Sequence, residues 1–166
     1  ESPMIKITVP ATSANLGIGY DTLGMAVSLY SHFTFERSDE LEITGCPVEF
    51  QSENNLVYVS FVDALREWGE EPFPVKLDTH TEVPVARGLG SSSTCVVAGI
   101  MAAAALTGHT VDRAELVRIA TSVEGHPDNV APAILGGAVC SFTPEGGLPR
   151  CLRYDVSDRL RFITII

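Results

Sequence analysis

At 166 residues and 17.8 kDa the chain is long enough for one well-filled domain and short for two. A formal charge of −10 and a pI near 4.7 exclude a basic nucleic-acid binder and speak against an anionic membrane as partner. The 45% hydrophobic and 19% charged content belongs to an ordinary globular protein. Cys46, Cys95, Cys140 and Cys151 form no C-x-x-C pair and have no histidine at zinc-ligand spacing, so reduced thiols in a cytoplasmic protein are expected. No signal peptide is visible, and the longest weakly polar run, Cys95 to Leu106, is too short to span a bilayer.

In chain order, "MIKITVPA" predicts a strand over Met4 to Val9, closed by Pro10. "TSANLGIGYDTLG" reads as a loop, "MAVSLYSHFTFE" as a long strand, and "LEIT" as a short one. From Asn55, "NLVYVSFVDALREWG" places Tyr58, Phe61, Val62, Leu65 and Trp68 on one helical stripe, ended by Gly69. "FPVKLDTHTEVP" alternates, with Lys76, Asp78, His80 and Glu82 on one side, as a half-exposed strand does.

A glycine loop then feeds a helix from Ser92 to about Leu106, rich in small residues. "VDRAELVRIATSVEG" predicts a second helix, with Asp112 as N-cap and Glu115 completing a capping box. "HPDNVAPAILGG" predicts a short helix with Pro127 near its first turn. "GAVCSF" and "CLRYDV" read as strands, and Leu160, Phe162, Thr164 and Ile166 alternate as a strand would, cut off in mid-sheet. That ending suggests the front part of a longer chain. Strand hairpins mixed with helices imply an α+β fold. His32, His80 and His109 have no partners in sequence and are expected on the surface.

Three stretches carry polar chemistry. In "PVARGLGSSST", Gly88 and Gly90 let the backbone turn with its amides inward, and the following helix adds free N–H groups and a positive dipole end. That suits a polyphosphate. No Lys-Ser or Lys-Thr follows the second glycine, so it is not a Walker loop, and Ser93 stands where a dinucleotide fingerprint needs its third glycine. A plain strand–helix turn with a serine N-cap accounts for the same residues. "PATSANLGIGYDTLG" offers Asn15 and Asp21 among small residues, either as ligand contacts or as Asx turns. "EGHPDNVAPAILGG" crowds Glu124, His126, Asp128 and Asn129 together, either as a substrate or metal site or as a capped helix start.

Taken together and in this order, the three stretches resemble the GHMP family of small-molecule kinases. "PVARGLGSSST" is similar to its phosphate loop, and the other two resemble its homoserine kinase branch. The resemblance covers essentially the whole chain. It implies an N-terminal GHMP-kinase domain over residues 1–166: a mixed sheet with helices packed on one face and a left-handed β-α-β unit, the C-terminal GHMP domain being absent from this chain. It also implies transfer of the ATP γ-phosphoryl group to the hydroxyl of L-homoserine in threonine biosynthesis, with magnesium as the metal. Pro84, Val85, Ala86, Arg87, Gly88, Leu89, Gly90, Ser91, Ser92, Ser93 and Thr94 would wrap the ATP phosphates, and Asn55 would border the adenine.

By the same resemblance Asn15, Asp21, His126 and Asp128 contact the substrate. Asp21 would hold its ammonium group, and Asp128, with Asn15, would act at the reacting hydroxyl. Ser92 would lie near magnesium, and either Glu124 supplies a carboxylate to it or the metal is held mainly by phosphates, Ser92 and water. Family members often carry a glutamate two residues before Glu124, where this chain has Ser122. They are also longer, and the missing half supplies basic residues for the substrate carboxylate, so this chain alone is expected to bind ATP weakly and turn over slowly. Family habit suggests a homodimer. Two rival readings are a GHMP kinase for a different alcohol and a non-catalytic nucleotide-binding module.

Overall fold

Strand β1, Ile5–Ala14, turns Ile7, Val9 and Ala11 inward and Lys6 and Thr8 outward. This is the period-two pattern of a sheet with one covered face. The computed structural model describes residues 3–163. Strand β1 pairs antiparallel with β2, Leu23–Arg37, from Ile5 opposite Phe35 to Ala14 opposite Gly24. It continues past Pro10, where the sequence suggested a stop, and the register shifts between Pro10 and Thr12. Proline is tolerated there because, among the described residues, β1 has β2 as its sole strand neighbour and the irregularity spares a ladder bond.

Strand β2 organises the sheet. Its second edge takes β4, Val75–Thr81, along Ser31 to Arg37, and β5, Ala138–Phe142, along Leu23 to Met25. Between these two partners the sheet parts, and the glycine loop enters there. Strand β3, Glu42–Thr44, lies parallel to β4, and β6, Arg150–Tyr154, lies antiparallel to β5, giving the order β3-β4-β2-β5-β6 with β1 on β2. Helix α1, Leu56–Glu67, bridges β3 and β4, so that pair forms a β-α-β unit. Leu160 to Ile163 are not in a strand; Thr164 to Ile166 of that expected element lie outside the described residues.

Helix α2, Ser91–Thr107, buries residues on nearly every side, from Val96 and Val97 to Ala102 and Ala103. It is apolar all round because the sheet covers one side and α1, with α3 (Arg113–Glu124), the others. Small residues let these helices approach closely. On α1 the buried face is Val57, Ser60, Phe61, Ala64 and Leu65, whereas Tyr58, Val62 and Trp68 of the expected stripe flank it half-buried. Contact with α2 selects the smaller side chains and rotates the face. Phe61 stacks on Phe35 at 6.1 Å and meets Phe73 edge-on at 5.3 Å.

Asp112 caps α3, its Oδ1 accepting from the Glu115 amide at 2.8 Å. The reciprocal half of the expected capping box is missing, because Glu115 Oε1 accepts from Trp68 Nε1 at 3.0 Å instead. Helix α4 is Val130–Leu135, so Pro127 precedes the helix rather than opening it. The three histidines expected on the surface are exposed, and each has a spatial neighbour. His32 meets Thr8 Oγ1 at 2.9 Å and stacks on His80, and His109 stacks on Trp68 at 4.1 Å. All four cysteines are free thiols, each half-buried. Among the described residues no helix is long and apolar enough to cross a membrane.

Candidate functional site

A cavity of about 700 Å³ opens where the sheet parts. Its walls are the loop from Val85 to Ser92, the start of α1, the inner faces of β2 and β4, and the turn before α4. Such a volume suits a small-molecule or cofactor ligand. Leu89 anchors the loop: it is 2% exposed, and its carbonyl accepts from the Thr12 amide of β1 at 3.1 Å. The loop carries three left-handed residues, Ala86, Gly88 and Gly90, and Gly90 stands at the N-cap of α2 with no side-chain cap. The serine cap considered from sequence is therefore not made. A glycine is required at position 90, since a Cβ there would sit 2.1 Å from Thr12 Oγ1. The first helical bond runs from the Thr94 amide to the Gly90 carbonyl, which leaves the amides of residues 91–93 without partners inside the helix. The helix thus presents free N–H groups and its positive end to the cavity.

Opposite this helix start stands Glu124, the last residue of α3. Its Oε1 accepts from Ser92 Oγ at 2.6 Å and from Ser93 Oγ at 3.3 Å. Ser122 faces the other way, exposed on the α1 side of α3 and bonded to the Ile119 carbonyl. Two positions apart on a helix are on different faces, so a carboxylate at 122 would not reach the loop, and Glu124 is the acidic group that does. Thr94 donates to the Ser91 carbonyl at 2.7 Å.

The turn after α3 brings His126 and Asn129 to the cavity wall. Asp128 is 1% exposed and does not line the cavity. Its Oδ1 pairs with His126 Nδ1 and accepts from the Asn129 amide at 3.0 Å. Asn15 lines the cavity in the left-handed conformation, and its Oδ1 accepts from the Asp21 amide at 2.7 Å. Asp21 is exposed on that loop and off the cavity wall. The loop and the turn are neighbours nonetheless, because Gly24 lets β2 pack directly on the Asp128 carbonyl. Asn55 lies at the far end, where Oδ1 caps the Val57 amide and Nδ2 donates to the Phe50 carbonyl. Pro84 and Ser93 of the expected phosphate loop lie behind the wall.

Sequence reading missed several wall residues. Cys46, Phe50, Ser31, Thr79 and Thr81 come from strands and loops with no motif, and only the sheet's folding brings them to the cavity. Thr12 sits in the "PATSAN" stretch, yet nothing in spacing marks it. Burial pushes the Cys95 thiol up to about 11, with Glu124 adding in the same direction against the Thr94 hydrogen bond. Burial likewise raises the Cys46 thiol, helped by Glu49. These thiols stay protonated at neutral pH and line the cavity as small, weakly polar groups.

The family model for the GHMP kinases N terminal domain matches residues 55–137, a span from the cap of α1 to the glycines after α4. A protein named homoserine kinase from Clostridium botulinum (strain Loch Maree / Type A3) is 41% identical over 98% of this chain and 55% of its own length. One of the same name from Clostridium beijerinckii is 43% identical, again over 98% of this chain and 55% of that protein. The crystal structure of homoserine kinase from Cytophaga hutchinsonii superposes with a TM-score of 0.75 at 30% identity, over 90% of this chain and 51% of that one. The chain spans about half the length of the curated relatives it matches.

Proposed function

The chain belongs to the GHMP kinases, and from that premise we propose that it forms the nucleotide-binding part of an enzyme that phosphorylates L-homoserine with ATP. The name carried by its relatives supports that acceptor. The observation that carries the reading is the meeting of two chemistries in one cavity. The free amides of α2 and the Ser92–Glu124 pair line the same cavity as His126, Asn129 and Asn15.

In this reading the loop amides and the α2 dipole hold the phosphates, and Arg87 adds a cation at the rim. The Ser92 hydroxyl and Glu124 carboxylate are hard oxygen donors, a set that fits magnesium, which takes few protein ligands and keeps several waters. When bound, that metal supplies neutralisation of charge on the phosphoryl oxygens. The acceptor hydroxyl oxygen bonds to the γ-phosphorus, the bond from that phosphorus to the β-phosphate bridge breaks, and ADP leaves. The hydroxyl proton passes to solvent. Asp128, off the wall, serves by holding His126 and the Asn129 amide in place, and Asp21, exposed on the loop tied to Asn15, offers a carboxylate for the substrate ammonium. Such a reaction depends on positioning and charge more than on a strong base.

The test is ADP release by the full-length protein with L-homoserine, mevalonate and galactose in parallel. Homoserine-dependent turnover supports the reading. Turnover with another alcohol alone keeps the phosphate loop and discards the roles of Asn15, Asp21, His126 and Asp128; no turnover with any of them refutes the acceptor assignment.

A further inference from the structure

Thr12 lies just after the irregularity in β1 and is fully buried. Its Oγ1 donates to Asn129 Oδ1 at 2.8 Å, and its amide donates to the Leu89 carbonyl at 3.1 Å. The Cα of Gly90 packs so close that any side chain there would strike the Thr12 hydroxyl. One buried hydroxyl therefore joins the first strand, the end of the glycine loop and the turn that begins α4.

We propose that Thr12 is a positioning residue for phosphoryl transfer: its hydroxyl fixes the Asn129 amide with Oδ1 inward, so that Nδ2 faces the cavity and donates to an acceptor oxygen held beside the glycine loop. An amide side chain has an accepting end and a donating end. Thr12 occupies the accepting end of Asn129. Nδ2 has no protein partner among the described residues and is not among the buried unpartnered atoms, so it is accessible, on a side chain that lines the cavity. The backbone of Asn129 is fixed independently by Asp128 Oδ1, which leaves side-chain rotation as its remaining freedom. A donor held in place ahead of the reaction stabilises charge without reorganising.

This inference rests on the kinase reading above, and its test keeps the two separable. In the full-length protein Thr12→Val removes the hydroxyl at similar volume. We expect kcat to fall about tenfold to a hundredfold with the ATP KM little changed, and Thr12→Ser to restore most of it. Asn129→Asp, which offers only oxygen to the cavity, is expected to lose activity to a similar degree. The Thr12→Val/Asn129→Asp double variant should lose little more than either single one, since both act through one contact. Wild-type kcat in a folded Thr12→Val protein, a Thr12→Ser variant as poor as Thr12→Val, activity retained by Asn129→Asp, or losses that multiply would each overturn the proposal. If Thr12→Val does not fold, Thr12→Cys, with its weaker donor, replaces it and is expected to fall well below Thr12→Ser. Should the wild type not turn over homoserine, the side-chain amide resonances of Asn129 still decide the matter. They are expected to move on Thr12→Val and to return on Thr12→Ser; resonances indifferent to Thr12 would refute the lock.

Discussion

Replacing Gly90 with alanine should be far more damaging than the same change at Gly88, two residues away, although both have a positive φ. At Gly88, with φ +71° and no described atom within 4 Å of where a Cβ would stand, the cost is the left-handed backbone alone, about 1–2 kcal/mol. At Gly90 the same backbone cost applies, and a Cβ 2.1 Å from Thr12 Oγ1 must also displace that hydroxyl. Breaking the Thr12–Asn129 bond leaves a buried hydroxyl unpaired, which costs a further ~1–3 kcal/mol. The expected loss is therefore about 1–2 kcal/mol for Gly88→Ala and about 2–5 kcal/mol for Gly90→Ala. For a domain of this size the difference between them corresponds to an extra fall in Tm of about 2–12 °C. Urea unfolding with unchanged m-values measures both free energies directly. A Thr12→Ala background supplies the control, because removing the hydroxyl removes the severe clash and leaves Asn129 Oδ1 at 3.2 Å as the tightest neighbour, so the cost of Gly90→Ala should fall toward that of Gly88→Ala. Equal losses at the two glycines, or no relief from Thr12→Ala, would refute the close packing of strand, loop and turn.

Three other predictions concern the site. Asp128→Asn in the full-length protein is expected to raise the homoserine KM more than it lowers kcat, because the carboxylate orients His126 and Asn129; collapse of kcat at constant KM would assign it proton transfer instead. Glu124→Gln keeps the shape of the contact with Ser92 but removes its charge, so the magnesium concentration giving half-maximal activity should rise about tenfold or more, and an unchanged requirement would remove Glu124 from the metal site. Cys95, raised from 9.0 to about 11 by burial, should react slowly with iodoacetamide at pH 8 and faster with each step toward pH 11. Because the folded state holds this proton more tightly than the unfolded chain, the associated stability is complete below pH 9 and is lost as pH rises toward 11. Rapid alkylation of Cys95 at pH 7 would show the thiol to be exposed.

Much of the architecture is legible in the chain because local periodicity and capping act over a few residues. The alternation of Val75, Leu77 and Thr79 inward against Lys76, Asp78 and His80 outward fixes β4 without reference to any other element. Asp112 caps α3 through an amide three residues away, and the helix starts where that cap requires. The glycine loop likewise carries its own chemistry, since free amides follow from any helix start and left-handed turns follow from glycine.

Other features depended on contacts between distant residues. The buried face of α1 turned away from its bulkiest stripe because α2 packs against Ser60 and Ala64. Glu115 left its expected cap for Trp68, 47 positions earlier in the chain. The resemblance drew attention to position 122, where family members often carry a glutamate, and only the packing of α3 beside α1 shows that Ser122 faces away from the loop, with Glu124 toward it.

The sequence by itself determined the order of strands and helices, the glycine- and serine-rich loop of residues 84–94 and the polar stretches that flank it, because each is encoded within a few neighbouring residues. The tertiary structure alone decided which polar groups share a cavity. It put Asp128 behind the wall and Asn129 on it, and it brought Thr12, Gly90 and Asn129 to one point across 117 positions of chain. A hydrogen bond between such distant residues leaves no periodic trace in sequence; it exists because β1 packs on α4 in the main core and on Leu89 of the glycine loop in a second, smaller apolar cluster.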